Sequence, residues 1–530
     1  MDQQQPGDTR PSGRAFELEA GVDVDTLLAG LAALCSGRRV EDTSERLALL
    51  DTPDGRLHAA GALLSIGAGD DGLRLRLQRP GAPDLSQSVP GVPAFAHDLP
   101  PGPLREPLRA LADVRRLQPR LEVERRSAGL DVLDQRRKTV ARLRLEELRL
   151  RPCAADAAWR PLPARLVLDG LRGYRKQAAA LLAVLRSRPG LRESRGDARA
   201  PLIEALARTL SPPPPVPGAD LRPGLRADEA LRRIHRAHLA ALRWNEPGVR
   251  ADLDTEFLHD WRVAARRTRS LLAQMKRVFP AAEVSRFRDE LGWLARLSGP
   301  LRDLDVFRAL LQDAAAGPDG LPGLLPLATL LRERRDAEHR RLIEGLDSPR
   351  ARAVLDEWEA FLARTPARRP AAEHARKPLA ELAAGRVRKL HQRIVAAGVA
   401  LGPRAPAADL HALRIECKKM RYLLDAARRL LADGPATETL AALKRLQQSL
   451  GDAQDAHVQA GLAQQAATDL TAASRATPEA LLAVGRLSER LVARETAARA
   501  QFAERLAAFA APATRAALRA LLRRGAGRRP

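Results

Sequence analysis

The sequence predicts an α+β domain followed by an all-α domain, and three observations point there. Up to about residue 190, runs of two-residue alternation are interleaved with short helix-period segments. Residues 191–224 turn rich in proline and glycine, with Pro212, Pro213, Pro214 and Pro215 in succession. From Ala227 onward the apolar period is helical almost throughout, and Leu and Ala, the commonest apolar residues, favour helix. A chain of 530 residues also exceeds the ~250–300 residues that one core usually organises. The expected divisions are a disordered N-terminus at 1–14, a first domain at 15–190, a proline-rich linker at 191–224, a helical domain at 225–512 and a frayed basic tail at 513–530.

In the first domain, charged and apolar residues alternate at Phe16–Glu19, Leu73–Leu77, Arg120–Glu124 and Thr139–Leu145, which predicts strands with one polar and one apolar face. Arg165–Leu168 reads as a further strand, and Asp25–Leu34 and a segment from near Tyr174 as helices. In the second domain helix-period segments run over 227–245, 253–277, 281–297, 303–315, 323–345, 350–364, 372–397, 407–432, 436–450, 453–473 and 477–510. Short Gly/Pro turns separate several of them, and antiparallel bundles bury such helices naturally.

One pattern in the helical region occurs twice. His259, Arg262, Arg266, Arg267 and Arg269 recur 152 residues later as His411, Arg414, Lys418, Lys419 and Arg421. At about 100° per residue, His259, Arg262, Arg266 and Arg269 fall within an arc of roughly 80°. Trp261, Ala264, Ala265, Leu271 and Leu272 lie opposite, as Leu413, Cys417, Met420, Leu423 and Leu424 do in the second copy. Like charges at i,i+3 and i,i+4 destabilise an isolated helix, so a duplicated cationic stripe calls for a ligand that supplies negative charge. Each stripe follows a helix with basic groups and a histidine: Arg232, Arg233 and His235, then Arg386, Arg388, Lys389 and His391. Each precedes an acidic turn, Leu301–Val306 and Leu450–Asp455, whose aspartates are candidates for helix caps or counter-ions. Two half-domains of about four helices each fit this spacing.

Composition narrows the partner. Formal net charge is +24 and pI about 11.2, a balance that attracts polyanions. Of the 89 Lys and Arg residues only 8 are lysines, and arginine can bridge two phosphate oxygens with one planar group. Three widely spaced cysteines suggest neither a disulfide framework nor a zinc site, and fit a reducing compartment. No second ligand stands at i+3 or i+4 from His259 or His411, so metal binding there is not expected. The first twenty residues lack an apolar core and no apolar run reaches ~18–20 residues, so a cytoplasmic protein is expected.

This series of motifs resembles the CHAD family, the conserved histidine α-helical domain. The resemblance is carried by His259–Arg267, Arg302–Val306, His411–Tyr422 and Leu450–Asp452 and covers about 225–510. It implies two pseudo-symmetric four-helix bundles with a basic groove between them, binding of inorganic polyphosphate, and residence on polyphosphate granules. The groove would be lined by His259, Arg262, Arg266, Arg267, Arg269, His411, Arg414, Lys418, Lys419 and Arg421, joined by Lys389 and Arg233. The first domain is similar to the CYTH domain, the triphosphate-tunnel fold, through Leu50–Asp54, Leu73–Arg76 and the strand at 139–145. That likeness implies an antiparallel β-barrel in which Arg74 and Arg76 could contact phosphate. Glu17 and Glu19 match the acidic pair of the family's Glu-x-Glu-x-Lys motif and are the metal candidates, but Gly21 replaces the lysine. The domain is therefore expected to be a degenerate, inactive relative.

The expected function is polyphosphate binding without turnover, and no cofactor is called for. Magnesium or manganese would be needed only under the rival reading, a metal-dependent inorganic triphosphatase with the helical domain as substrate tether. A second rival is non-specific nucleic-acid binding, which an aromatic content of 3% disfavours for single strands.

Overall fold

The structure, a computed structural model, describes residues 14–526 except 70–71, 155, 195–196, 198, 212–213, 223, 317–319, 403–404 and 431–432. Most of the 1–14 segment, Pro212 and Pro213, and the last four residues of the basic tail lie outside the described residues. The chain divides into two compact units, with the boundary after residue 212.

The first unit contains β1 (Arg14–Leu18), α1 (Val24–Leu34), β2 (Gly37–Asp51), α2 (Arg56–Ala59), β3 (Leu63–Gly69), β4 (Gly72–Gln78), β5 (Leu85–Val89), α3 (Arg105–Ala112), β6 (Gln118–Leu133), β7 (Thr139–Pro152), β8 (Arg160–Pro161), β9 (Arg165–Gly170), α4 (Arg175–Ser187), β10 (Leu191–Ser194) and α5 (Ala200–Ala207). The strands form one antiparallel sheet in the order β10-β1-β9-β7-β6-β2-β3-β4-β5, with β8 on β7. The terminal strands β10 and β5 form no ladder with each other among the described residues, so the expected barrel is an open sheet. Side chains alternate across a strand, and the long β6 and β7 use both faces. Leu130, Val132, Leu143 and Leu145 pack with Phe16, Leu28, Leu31 and Leu185 beneath α1 and α4. Leu121, Val123 and Leu150, of opposite parity, pack with Leu49, Leu63 and Leu206 of α5. Residues 191–224, read as a linker, thus supply an edge strand and a helix that covers a sheet face.

The second unit contains α6 (Ala227–Arg250), α7 (Thr255–Gln274), α8 (Ala281–Leu297), α9 (Gly299–Ala316), α10 (Leu325–Asp347), α11 (Pro349–Ala363), α12 (Leu379–Ala400), α13 (Ala407–Ala427), α14 (Asp433–Ala472), α15 (Pro478–Ala510) and α16 (Pro512–Ala526). Helices α6, α7 and α8 begin at 227, 255 and 281, and α12, α13 and α14 at 379, 407 and 433, a constant offset of 152. The copies also bond reciprocally. Ala227 N donates to Lys377 O (2.9 Å) and Leu379 N to Leu225 O (3.2 Å), equivalent atoms exchanged as about a two-fold axis. In the first copy Pro300 lacks the N–H that would continue a helix, and the chain breaks into α8 and α9. At the corresponding place α14 runs unbroken through Gly451 and Asp452. The segments expected at 436–450 and 453–473 are therefore one helix, and the two acidic turns lie within α9 and α14. Helix α16 likewise occupies most of the segment expected to fray.

One buried charge is doubly paired: Arg335, 6% exposed, binds Asp305 (2.7 Å) and Asp252 (2.5 Å), and leaving such a group single is costly. An aromatic cluster anchors the first copy, where fully buried Trp358 lies 4.6 Å from Phe287 and 5.5 Å from Phe361 between ring centroids. Trp358→Ala is expected to lower unfolding free energy by ~3–5 kcal/mol, read as a lower urea midpoint of the helical signal.

Candidate polyanion-binding site

Helices α7 and α13 carry the two stripes. Asp254 caps α7 by accepting from the N–H groups of Glu256 and Phe257, and α13 begins directly after Pro406. The predicted apolar backs are buried: Trp261, Ala264, Ala265, Leu271 and Leu272 on α7, and Leu413, Cys417, Met420, Leu423 and Leu424 on α13. Where α7 ends it docks on α13, with Gln274 Nε2 donating to Lys419 O (3.1 Å).

The two stripes converge on Tyr422. Its ring is 3% exposed, and the guanidinium groups of Arg266 and Arg267 from α7 lie 5.9 and 5.7 Å from its centroid. Arg421 from α13 lies 5.5 Å away. Each such contact is worth ~0.5–1 kcal/mol, which offsets part of the mutual repulsion. Lys418 sits among the same cations. Burial, then Arg414, Arg266 and Arg421, push its ammonium down to about 8, and Asp455 opposes this only in part. Among the described residues Arg266, Lys418 and Arg421 make no ion pair, and the buried Nε of Arg266 and of Arg421 has no hydrogen-bond partner.

The flanks of this seam repeat the same offset. Arg414 bonds Asp455 (3.1 Å); its counterpart Arg262 is drawn electrostatically toward Asp303 and donates to Ala295 O (2.8 Å) and Ser298 Oγ (2.7 Å). Glycine faces both arginines, with a Cβ on Gly299 lying 3.8 Å from Arg262 Nη1 and one on Gly451 lying 3.6 Å from Arg414 Nη2. The histidines differ. Half-buried His259 is held neutral, pushed down to about 4 by burial, then by Arg302, with Arg266 and Arg262 adding to it against Asp260, whereas His411 is exposed.

Other predicted residues stand outside the seam or are already partnered. Arg233 pairs with Asp220 (3.1 Å) and Glu229 (2.7 Å). Lys419 pairs with Glu416 (2.5 Å), which also receives Arg393. Arg267 faces Asp425 (3.7 Å). Lys389 is exposed on α12. Arg269 turns away to α8. His235, also basic in the sequence reading, is wholly buried against Trp358 and is pushed down to about 3; His391 packs on Phe509. Residues the sequence reading passed over include Tyr422 as the meeting point, Ser298, and the equivalent glycines 299 and 451. The shared 152-residue offset of those glycines was the available signal.

In the first unit, β-register places Arg192, Glu17, Arg165 and Glu146 in one row of alternating sign across four strands. Glu17 accepts from Arg192 (3.0 Å) and Ser194 (3.1 Å), and the Arg192 hydrogen bond chiefly holds its carboxyl below the usual range. Glu19 is exposed beyond the end of β1. On β4, Arg74 and Arg76 stand opposite Ser88 and Ser86 of β5, and five strands lie between β4 and β1 in ladder order. Gly21 has φ +90, a backbone state that a lysine would occupy only with strain. Among the described residues no three or more His, Cys, Asp or Glu side chains are grouped to hold a metal, and no helix is long and apolar enough to cross a membrane.

A family model described as CHAD domain matches residues 233–464, which lie within the helical unit. Uncharacterized proteins from two strains of Mycobacterium tuberculosis are 31% identical over 237 residues, which span 44% of this chain and 44% of theirs. The chain matches less than half the length of those relatives. Among solved structures, the CHAD domain from the plant Ricinus communis is similar with a TM-score of 0.44 and 27% identity, covering 58% of this chain and 97% of that one. PptA from Streptomyces chartreusis gives 0.42 and 20%, covering 53% and 99%.

Lys418 makes the seam costly when unliganded. Its folded-state value of about 8 lies below the ordinary 10.5, so the penalty is full below pH 8 and is relieved as pH rises toward 10.5. Lys418→Met is expected to stabilise the protein at pH 7 by about 1 kcal/mol, after discounting for solvent screening of a half-buried group. The gain should shrink toward pH 10, as followed by melting temperature.

Proposed function

We propose that the seam between α7 and α13 binds inorganic polyphosphate without turning it over, and that the protein associates with polyphosphate granules. The observation that carries this reading is Lys418 beside Arg266, Arg414 and Arg421, with no ion pair on Lys418, Arg266 or Arg421 among the described residues. A structure pays to crowd four cations only where a ligand of higher charge density relieves them, and the CHAD match over the same residues supports a phosphate polymer. Nucleic acid fits less well, because the ring of Tyr422 in the seam is buried against guanidinium groups and offers no stacking platform.

The first unit is read as catalytically inert. Glu17 is neutralised by Arg192, Gly21 stands in a conformation closed to lysine, and α5 packs on one sheet face. Phosphate release from inorganic triphosphate with magnesium or manganese should stay at background, and turnover lost in Glu17→Gln would establish the enzyme reading instead.

The binding test uses the full chain and long-chain polyphosphate. Replacing Arg262, Arg266, Arg414 and Lys418 with Ala should weaken affinity at least tenfold and flatten the salt slope by several units, roughly one per cation removed, with helicity unchanged. Bound Lys418 is protonated, so affinity should fall as pH rises through 8, and Lys418→Arg should abolish that dependence. Equal displacement by duplex DNA at the same phosphate concentration would refute the preference for polyphosphate.

A further inference from the structure

We infer that α8 extends the binding surface through Arg288 and Arg296, so that a polyphosphate chain runs from the seam onto a third helix across a notch at Gly292. The inference rests on the polyphosphate reading and adds residues outside the duplicated stripes.

Arg269, the last member of the first stripe, lies across α8. A Cβ on Gly292 would come 3.3 Å from Arg269 Nη2 and 3.5 Å from its Cζ, a tight approach that glycine permits. Arg288 and Arg296 stand four residues before and after Gly292, one turn along the same helix face. Both are exposed and neither makes an ion pair among the described residues. Asp289, on that face, is the carboxylate that acts on Arg269 beside Arg296 and Arg288, and it makes no ion pair among the described residues. Gly292 lies inside α8, buried, where glycine costs roughly 0.5–1 kcal/mol relative to Ala. Local helix stability therefore does not explain it; space for the Arg269 guanidinium does.

The second copy lacks this feature. The positions equivalent to Arg288, Gly292 and Arg296 are Leu440, Lys444 and Gln448, so the notch is filled and the flanking charges are gone. The cationic track leaves the seam on the first-copy side alone, from α13 across α7 to α8. Arg262 and Arg269 are seven residues apart, about 10 Å along α7, and the α8 pair adds about 12 Å along a second axis. A short oligophosphate can satisfy the seam, whereas only a longer chain reaches α8.

The experiment compares the full chain with Arg288→Ala/Arg296→Ala and with Gly292→Ala, using long-chain polyphosphate and tripolyphosphate as probes. The double variant should lower affinity for the long chain by three- to tenfold and reduce its salt slope by about two, leaving tripolyphosphate binding unchanged. Gly292→Ala, which keeps every charge, should weaken long-chain binding while melting at the same or a higher temperature. An unchanged long-chain salt slope in the double variant, with wild-type binding intact, overturns the α8 extension alone. Absence of polyphosphate binding in the wild type overturns the parent reading and the extension with it.

Discussion

Like charges held together by apolar burial define this protein's helical unit. Arg266, Arg421 and Lys418 repel one another, yet the helices that carry them are fastened from behind by Trp261, Leu271, Met420 and Leu424. The hydrophobic backs fix where the cations stand; Tyr422 lies between them as a neutral spacer whose ring accepts three guanidinium groups. Arg335 is treated differently, bound between Asp252 and Asp305. The contrast is between arginine balanced by carboxylates and arginine left without them among the described residues.

The sequence revealed the stripes and their buried faces because both obey a helical period and because the pattern is repeated. Strands β1, β4 and β7 were legible for the same reason at period two. The reading failed where local pattern is ambiguous. Strand β2 runs through Glu41-Asp42-Thr43-Ser44-Glu45, mostly exposed and without apolar alternation. Helix α5 is short and lies beside the prolines, so only its packing on Leu49 and Leu150 makes it more than a linker. The acidic turn at Leu450–Asp455 separates two segments in the sequence reading, but the stop in the first copy belongs to Pro300, and Asp452 at the equivalent position retains its N–H.

Site membership was harder to read than site existence. Arg233 shares a helix with buried basic neighbours, and its partner Glu229 is visible at i−4. Lys419 is likewise claimed by Glu416 three residues earlier. Short-range pairing could thus have been discounted from the sequence. The convergence of Arg266 with Lys418 could not, since it depends on how α7 crosses α13, and the turn of Arg269 toward α8 depends on a glycine whose significance is spatial.

The reciprocal bonds that join Ala227 to Lys377 and Leu379 to Leu225 carry an implication about ancestry. Two equivalent backbone edges that each satisfy the other form a self-complementary, isologous contact. One half of the unit therefore presents the surface that its own replica would recognise, and the present chain reads as a homodimer whose subunits became covalently joined and then diverged. Pro300 and Gly292, matched by Asp452 and Lys444, are positions at which the two halves now differ.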